Sequence, residues 1–311
     1  MEMLIQLALL ALGFVLLVKG ADWFVDGAAS VAAKLGIPQL VIGLTIVAMG
    51  TSAPEAAVSL TAAFHGNADI TIGNVVGSNI LNVLVILGLA ALICPMAVAK
   101  LTVLVDIPVT IAISLLLLGL GFDGSISRLD AGILLVVFIG YLSYLFIMTK
   151  KGLISGESEE EDAKIQSVPK ALLCTVLGLA LIIVGSNFAV DAASAIAKML
   201  GLSERFIGLT IVALGTSLPE LFTSVAAAIK KNPDMAIGNI VGSNIFNILF
   251  IVGLSGMVIP VPFAPPFRFD TIFAAGTMLL LLLLSLPNRR LGRVDGFILL
   301  MGYIAYFWTI L

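Results

Sequence analysis

The chain has 311 residues, 60 % of them hydrophobic and 11 % charged, with a mean hydropathy of +1.18 and a formal charge of −3. Soluble domains run at about 45–50 % apolar and about 25 % charged residues, so this composition excludes a soluble fold, a disordered chain and a disulfide-stapled secreted module. The negative balance offers no basic face for nucleic acid, and Cys94 and Cys174 stand far apart in apolar runs, where neither a redox pair nor a zinc site is expected.

A spanning helix needs roughly 20 apolar residues. In chain order, ten such segments are expected near residues 3–33, 39–64, 70–94, 101–121, 130–149, 169–198, 206–229, 235–259, 270–287 and 295–311. Their continuous Leu, Ile, Val and Ala runs are unlike the short alternating segments of a β-barrel. The first run lacks a basic leader and continues through Gly20 and Ala28 without a cleavage site, so it reads as a span and not as a signal peptide. The expected fold class is an all-α membrane protein of ten transmembrane helices, with the lipid bilayer as its solvent. A monomer is the simplest assembly.

The one strongly polar stretch, Lys150 to Lys170, has clustered acids and flanking lysines and reads as a solvated linker. Its Glu159–Asp162 run lacks the ligand spacing and glycine of an EF-hand loop. Turns after segments 1, 3, 5, 7 and 9 hold eleven Lys and Arg, against four on the opposite side. The positive-inside rule therefore places both termini outside the cell membrane and the 150–168 loop in the cytoplasm. Lys19 lies within the first segment and is expected to snorkel or to pair with Asp22. His65, at the outer end of the second segment, reads as an interfacial residue rather than a ligand.

The sequence then repeats. Residues 41–55, VIGLTIVAMGTSAPE, and 206–220, FIGLTIVALGTSLPE, share twelve of fifteen positions at an offset of 165. The same offset aligns Gly73–Asn82 with Gly238–Asn247, eight of ten identical, and pairs Asp26 with Asp191, Arg128 with Arg293 and Asp130 with Asp295. The expected organisation is a first five-helix repeat, 1–150, a cytoplasmic acidic linker, 151–168, and a second repeat, 169–311. Five spans is an odd number, so the second copy enters from the opposite side and the repeats are inverted. Such repeats place a transporter's substrate site near the midplane, where broken helices meet.

Pro54 and Pro219 fall midway along their spans. A proline there cannot bond the carbonyl four residues back, which frees the carbonyls of Gly50 and Gly215 and leaves them to be satisfied by something else, such as a cation. Next to them stand Glu55 and Glu220. An acid at the bilayer centre costs roughly 2.5–3.5 kcal/mol, and two in one dry site repel unless a cation sits between them. The bland alternative is a protonated or lysine-paired couple that only holds helices together. In the second motif the glycines suit close helix packing. Packing does not require Ser78, Asn79 and Asn82 or Ser243, Asn244 and Asn247; Ser78 and Asn82, like Ser243 and Asn247, share a helix face. Two bidentate glutamates and one freed carbonyl from each repeat supply about six oxygens, the chemistry of calcium. No Cys, His or Met falls in the GTSxPE and GSNxxN cores to favour a soft metal.

At these residues the sequence resembles the cation/calcium antiporter superfamily, and in particular prokaryotic sodium/calcium exchangers. The likeness covers nearly the whole chain, with GTSxPE and GSNxxN in each half. It implies exchange of sodium for calcium by alternating access, with Ca2+ and Na+ as transported ions and no cofactor. It also implies calcium between Glu55 and Glu220 with the carbonyls of Thr51 and Thr216. Sodium would be held by Ser52, Ser217, Ser78 and Ser243 with the carbonyls of Ala48 and Ala213, and Asn82 and Asn247 would line the centre. The potassium-dependent branch carries Asp where Asn247 stands, which argues against potassium co-transport. A cation channel and an intramembrane enzyme are the competing classes. Broken-helix repeats favour a carrier, and neither H-E-x-x-H nor G-x-S-x-G occurs.

Overall fold

The computed structural model describes residues 2–152, 166–201 and 213–310. Most of the acidic linker, including the Glu159–Asp162 run, and the first part of the seventh expected segment lie outside the described residues. Elsewhere every expected segment is helical. The helices are α1 (Glu2–Leu35), α2 (Gln39–Thr51), α3 (Ala53–Phe64), α4 (Ile70–Ile93), α5 (Thr102–Asp123), α6 (Arg128–Lys150), α7 (Val168–Met199), α8 (Ala213–Thr216), α9 (Leu218–Ile229), α10 (Pro233–Val258), α11 (Pro265–Ser285) and α12 (Arg293–Ile310). Among the described residues seven helices are individually long and apolar enough to cross a membrane, and the bent pair α2 and α3 makes an eighth. Large apolar side chains such as Phe14, Val136, Ile139 and Trp308 are exposed on the outer surface, as a bilayer requires of a multi-pass membrane protein.

Burial sorts the helices. In its most apolar stretch α10 is 94 % buried and α4 72 %, against 17 % for α1. The two helices that carry the Gly-Ser-Asn motifs are therefore the centre of the bundle, and α1, α6 and α7 form its wall. Small residues allow α1 and α7 to touch along their length. A Cβ on Gly13 would lie 2.8 Å from the Gly185 carbonyl, and one on Gly20 would lie 2.8 Å from the Gly178 carbonyl. As the number rises along one helix it falls along the other, so the two run antiparallel. Glycine at both positions brings the backbones this close, which gives packing energy where lipid offers no hydrophobic drive.

Two features the sequence did not announce stitch the halves together. Strand β1 (Met96–Ala97) pairs with β4 (Arg290–Leu291), and β2 (Ser125–Ile126) pairs with β3 (Val261–Pro262), both antiparallel. Met96 faces Leu291 and Ile126 faces Val261, which at an offset of 165 is one pairing made twice. A similar crossing, one residue out of exact register, recurs nearby. Arg128 donates to the Val258 carbonyl at 3.3 Å and Arg293 to the Leu92 carbonyl at 3.2 Å. Within each half a Tyr–Asp bond ties the last two helices: Tyr141 to Asp106 at 3.2 Å and Tyr306 to Asp270 at 3.0 Å.

Asp22 makes its ion pair with Lys230, at 3.3 Å, so of the two expectations for Lys19, snorkelling or pairing with Asp22, the pairing is not made. The Lys230 ammonium also reaches Asp26 at 2.7 Å. Helical spacing made Lys19 and Asp22 neighbours on one helix surface, but α1 turns that edge toward the end of α9. His65 sits exposed just past the C-terminus of α3, its Nδ1 2.8 Å from the Thr61 carbonyl, in keeping with an interfacial position.

Candidate functional site

The two GTSxPE copies break their spans in the same way. Helix α2 ends at Thr51 and α3 starts at Ala53, with a bend of 48° between them. Ser52 takes φ −81°, ψ 9° at this break, and Ser217 takes φ −90°, ψ 4° between α8 and α9. Pro54 and Pro219 then fall in the first turn of the new helix, where a missing N–H costs nothing and the fixed φ suits helix entry. Glu55 and Glu220 occupy those same first turns, where the positive end of the helix dipole favours a carboxylate. Both are at most 1 % exposed.

One expectation at the break is corrected. The carbonyl of Gly215 is freed, but the hydroxyl of Ser186 on α7 donates to it at 2.8 Å. A protein donor thus meets its need for a partner. At the first copy, Gly50 packs against the side chains of Leu179 and Phe24.

Hydrogen bonds carry each carboxylate across to the opposite half. Ser52 Oγ donates to Glu220 Oε1 at 2.7 Å, and Ser217 Oγ lies 3.4 Å from Glu55 Oε1 and 3.5 Å from Ser78 Oγ. Ser243 Oγ donates to the Ala48 carbonyl at 3.4 Å. Thr51 is buried and donates to Asn239 Oδ1 at 3.0 Å, while Thr216 is half-buried at the end of α8, the short helix that Ala213 opens. The central asparagines make one reciprocal set. Asn79 Nδ2 donates to the Asn244 carbonyl at 3.1 Å and Asn244 Nδ2 to the Asn79 carbonyl at 3.2 Å. Asn82 Nδ2 donates to Asn244 Oδ1 at 3.0 Å and Asn247 Nδ2 to Asn79 Oδ1 at 3.1 Å. From Asn82 and from Asn247 onward the helices widen into π turns, Asn82–Leu87 and Asn247–Val252, a distortion frequent at functional sites.

These bonds use up the donors and leave acceptors over. Glu55 Oε2, Glu220 Oε2, Asn82 Oδ1 and Asn247 Oδ1 are buried oxygens that accept from nothing. They are two pairs related by the repeat. Buried polar atoms are nearly always partnered, and an unpartnered one costs about 1–3 kcal/mol, more if charged. Among the described residues no lysine or arginine pairs with either carboxylate. A buried set of oxygen acceptors without a cationic side chain suits a hard cation, which takes carboxylates, carbonyls and amide oxygens alike.

Sequence reasoning missed several members of this cluster. Asn74 Nδ2 donates to Ser59 Oγ at 2.9 Å and to the Glu55 carbonyl at 3.2 Å, and Asn239 Nδ2 donates to Ser224 Oγ at 2.9 Å, bracing each broken span against its motif helix. The signal was present, since Asn74 and Asn239 are the second residues of the repeated GNxVGSNxxN motif. Ser186 gave none, because its counterpart is Ala21.

The family described as sodium/calcium exchanger protein matches residues 5–147 and 170–311 of this chain. The putative antiporter CaxA of Alkalimonas amylolytica is 41 % identical, over 98 % of each chain. The sodium/calcium exchanger MaX1 of Methanosarcina acetivorans is 35 % identical, over 97 % of each. Solved structures of the sodium-calcium exchanger NCX_Mj superpose with a TM-score of 0.85 at 34 % identity, covering 98 % of both chains. The two halves, their crossed motifs and these likenesses agree: the chain belongs to the sodium/calcium exchanger protein family.

Proposed function

We propose that this chain exchanges sodium for calcium by alternating access and that each cycle moves net charge. The observation that carries the reading is the set of four buried, unpartnered oxygens on Glu55, Glu220, Asn82 and Asn247. Calcium lies between Glu55 and Glu220 and takes the carbonyls of Thr51 and Thr216. Sodium uses Ser52, Ser217, Ser78 and Ser243 with the carbonyls of Ala48 and Ala213, and Asn82 and Asn247 line the centre. The contact of Ser243 with the Ala48 carbonyl and that of Ser78 with Ser217 support the grouping.

Ten transmembrane helices in two inverted five-helix repeats form the carrier, residues 1–150 and 169–311, with 151–168 as a cytoplasmic linker and both termini outside. The antiparallel pairing of α1 with α7 and the twice-made strand pairing support inversion. The excess of Lys and Arg on the linker side supports the orientation.

Two ionised glutamates supply a charge of about −2, so one calcium makes the loaded site neutral. Three sodium ions would leave +1, and an inside-negative potential would then drive sodium in and calcium out. One charge moved through 100 mV is worth about 2.3 kcal/mol, enough to shift the calcium gradient roughly fifty-fold. Proteoliposomes with equal sodium on both sides and an imposed membrane potential test this. Sodium-dependent redistribution of calcium with voltage is expected; no redistribution would favour an electroneutral two-for-one cycle. Calcium flux without obligatory countertransport would indicate a channel. Neutral Asn247 adds that replacing potassium by an inert cation leaves the exchange rate unchanged at clamped voltage.

A further inference from the structure

Where the end of α11 meets the start of α5, a cavity of about 330 Å³ is lined by Lys100, Val103, Leu104, Leu286 and Arg289. Both charged lining residues are cationic. Leu104 and Leu286 are about half exposed on the lipid-facing surface, and Val103 is buried behind them. The β1–β4 pair and a bond from the Val98 amide to the Arg289 carbonyl, 2.8 Å, fix the two basic segments side by side.

The repeat supplies an internal control. At an offset of 165 the counterparts of Lys100, Val103 and Leu104 are Pro265, Arg268 and Phe269, and those of Leu286 and Arg289 are Gly121 and Gly124. On that face Arg268 donates to the Phe122 carbonyl at 2.8 Å and stacks 4.8 Å from the Phe122 ring centre. The arginine itself occupies its corner there, where the other face has the short Val103 and a basic rim. The backbone adds a second contrast. Gly124 holds φ 105°, which glycine adopts freely, whereas Arg289 holds φ 48°, a left-handed conformation in which a side chain is strained. Strain of this kind persists where the residue is needed for something else.

We propose that this cavity binds the phosphodiester headgroup of an anionic glycerophospholipid, with the phosphate on Lys100 and Arg289 and the acyl chains along Leu104 and Leu286. Charge complementarity commits the site to an anion, and the apolar floor at bilayer depth commits it to a lipid. The orientation proposed above puts the cavity in the cytoplasmic leaflet, where basic pockets between spans hold such headgroups.

Native mass spectrometry of the full chain, delipidated and mixed with phosphatidylglycerol and phosphatidylethanolamine, reads the preference directly. Wild type should retain phosphatidylglycerol selectively. K100Q and R289Q should each lower that preference roughly fivefold and the double variant about 25-fold. K100R with R289K keeps both charges and should keep the preference, which separates lost charge from lost fold. Lys34, an exposed lysine expected on the same membrane face, is the control, and K34Q should change nothing. Three results would overturn the proposal: unchanged preference in the double variant, an equal loss in K34Q, or displacement of the lipid by millimolar inorganic phosphate. None of these readouts needs transport, so they stand whether or not sodium–calcium exchange is confirmed.

Discussion

Ser52 and Ser217 stand at the same place in two copies of one motif, and their backbone angles differ by less than 10°. Their hydroxyls do not match: Ser52 sits 2.7 Å from Glu220, Ser217 3.4 Å from Glu55. Around them lie differences of another kind. The Gly215 carbonyl has Ser186 as donor, while the corresponding place near Gly50 is Ala21. Lys230 bridges to Asp22 and Asp26, while its counterpart, His65, bonds its own helix. The last two asymmetries are written in the residues. The first is not, because both motifs read GTSxPE, so it must come from how the two halves are disposed around them.

The largest effect should fall on the element that is equal in both halves. E55Q and E220Q each remove one charge from the proposed calcium site while keeping its shape. Leaving buried charges short of a partner costs about 3–5 kcal/mol, so sodium-driven calcium uptake in proteoliposomes should fall more than 100-fold in either variant, with the protein still monodisperse. Near-normal uptake in either one would overturn the assignment of calcium to a site between the two glutamates.

Next in size is the pair of serines. A hydrogen bond to a charged group contributes about 1.5–3 kcal/mol, and it weakens as it lengthens. S52A should therefore raise the calcium KM about tenfold or more, and S217A only a few-fold. Equal effects would mean that the two distances interchange during the cycle and that the difference belongs to one state. A larger effect from S217A would show that the shorter bond does not govern calcium binding.

How far these relations were legible in the sequence depends on their physical origin. The spans were legible because the bilayer demands long apolar runs, and the breaks at Ser52 and Ser217 because Pro54 and Pro219 mark them. Glu55 and Glu220 stood out as acids in an apolar setting. The strands β1 to β4 could not be read, since two residues are too few to show an alternating pattern. The π turns after Asn82 and Asn247 lie in the apolar runs NVLVIL and NILFIV, which look no different from an ordinary helix. Asn79 and Asn244 were visible as polar residues, but helical spacing within one segment does not reveal a partner on the opposite half. Ser186 was silent because only one repeat carries it. Repetition reveals shared function and hides whatever breaks the symmetry.

Ser186 therefore gives a sharper test of written-in asymmetry. Interhelical hydrogen bonds in membranes average about 0.6 kcal/mol and reach about 1.7. S186A should lower stability by about that much in a thermal or denaturant titration, because the Gly215 carbonyl loses its donor. A21S places a hydroxyl at the equivalent site on α1, making the halves alike at this point. A loss in S186A without a matching gain in A21S is expected, because Gly50 faces Leu179 and Phe24 and the corner is already apolar. A gain of equal size in A21S would show that the Gly50 carbonyl also lacks a partner, and that the halves differ here only in their residues.

The smallest expected effect is at Lys230, although its contacts are short. Its side chain is 26 % exposed, and those of Asp22 and Asp26 are 41 % and 51 % exposed. Exposed ion pairs contribute only about 0.2–1 kcal/mol, because water screens both partners and the long side chain must be held still. K230Q should thus lower stability by less than about 1 kcal/mol, and the loss should shrink further as salt rises toward 1 M. The ammonium nevertheless joins the start of the α9–α10 turn to α1, the helix that runs antiparallel to α7. A tether between those elements acts on their relative motion more than on folding. If it does, K230Q leaves stability nearly unchanged and alters the exchange rate, whereas H65Q at the counterpart alters neither, since that imidazole bonds within its own helix. Equal changes in rate from the two substitutions would mean that the ion pair plays no part in the difference between the halves.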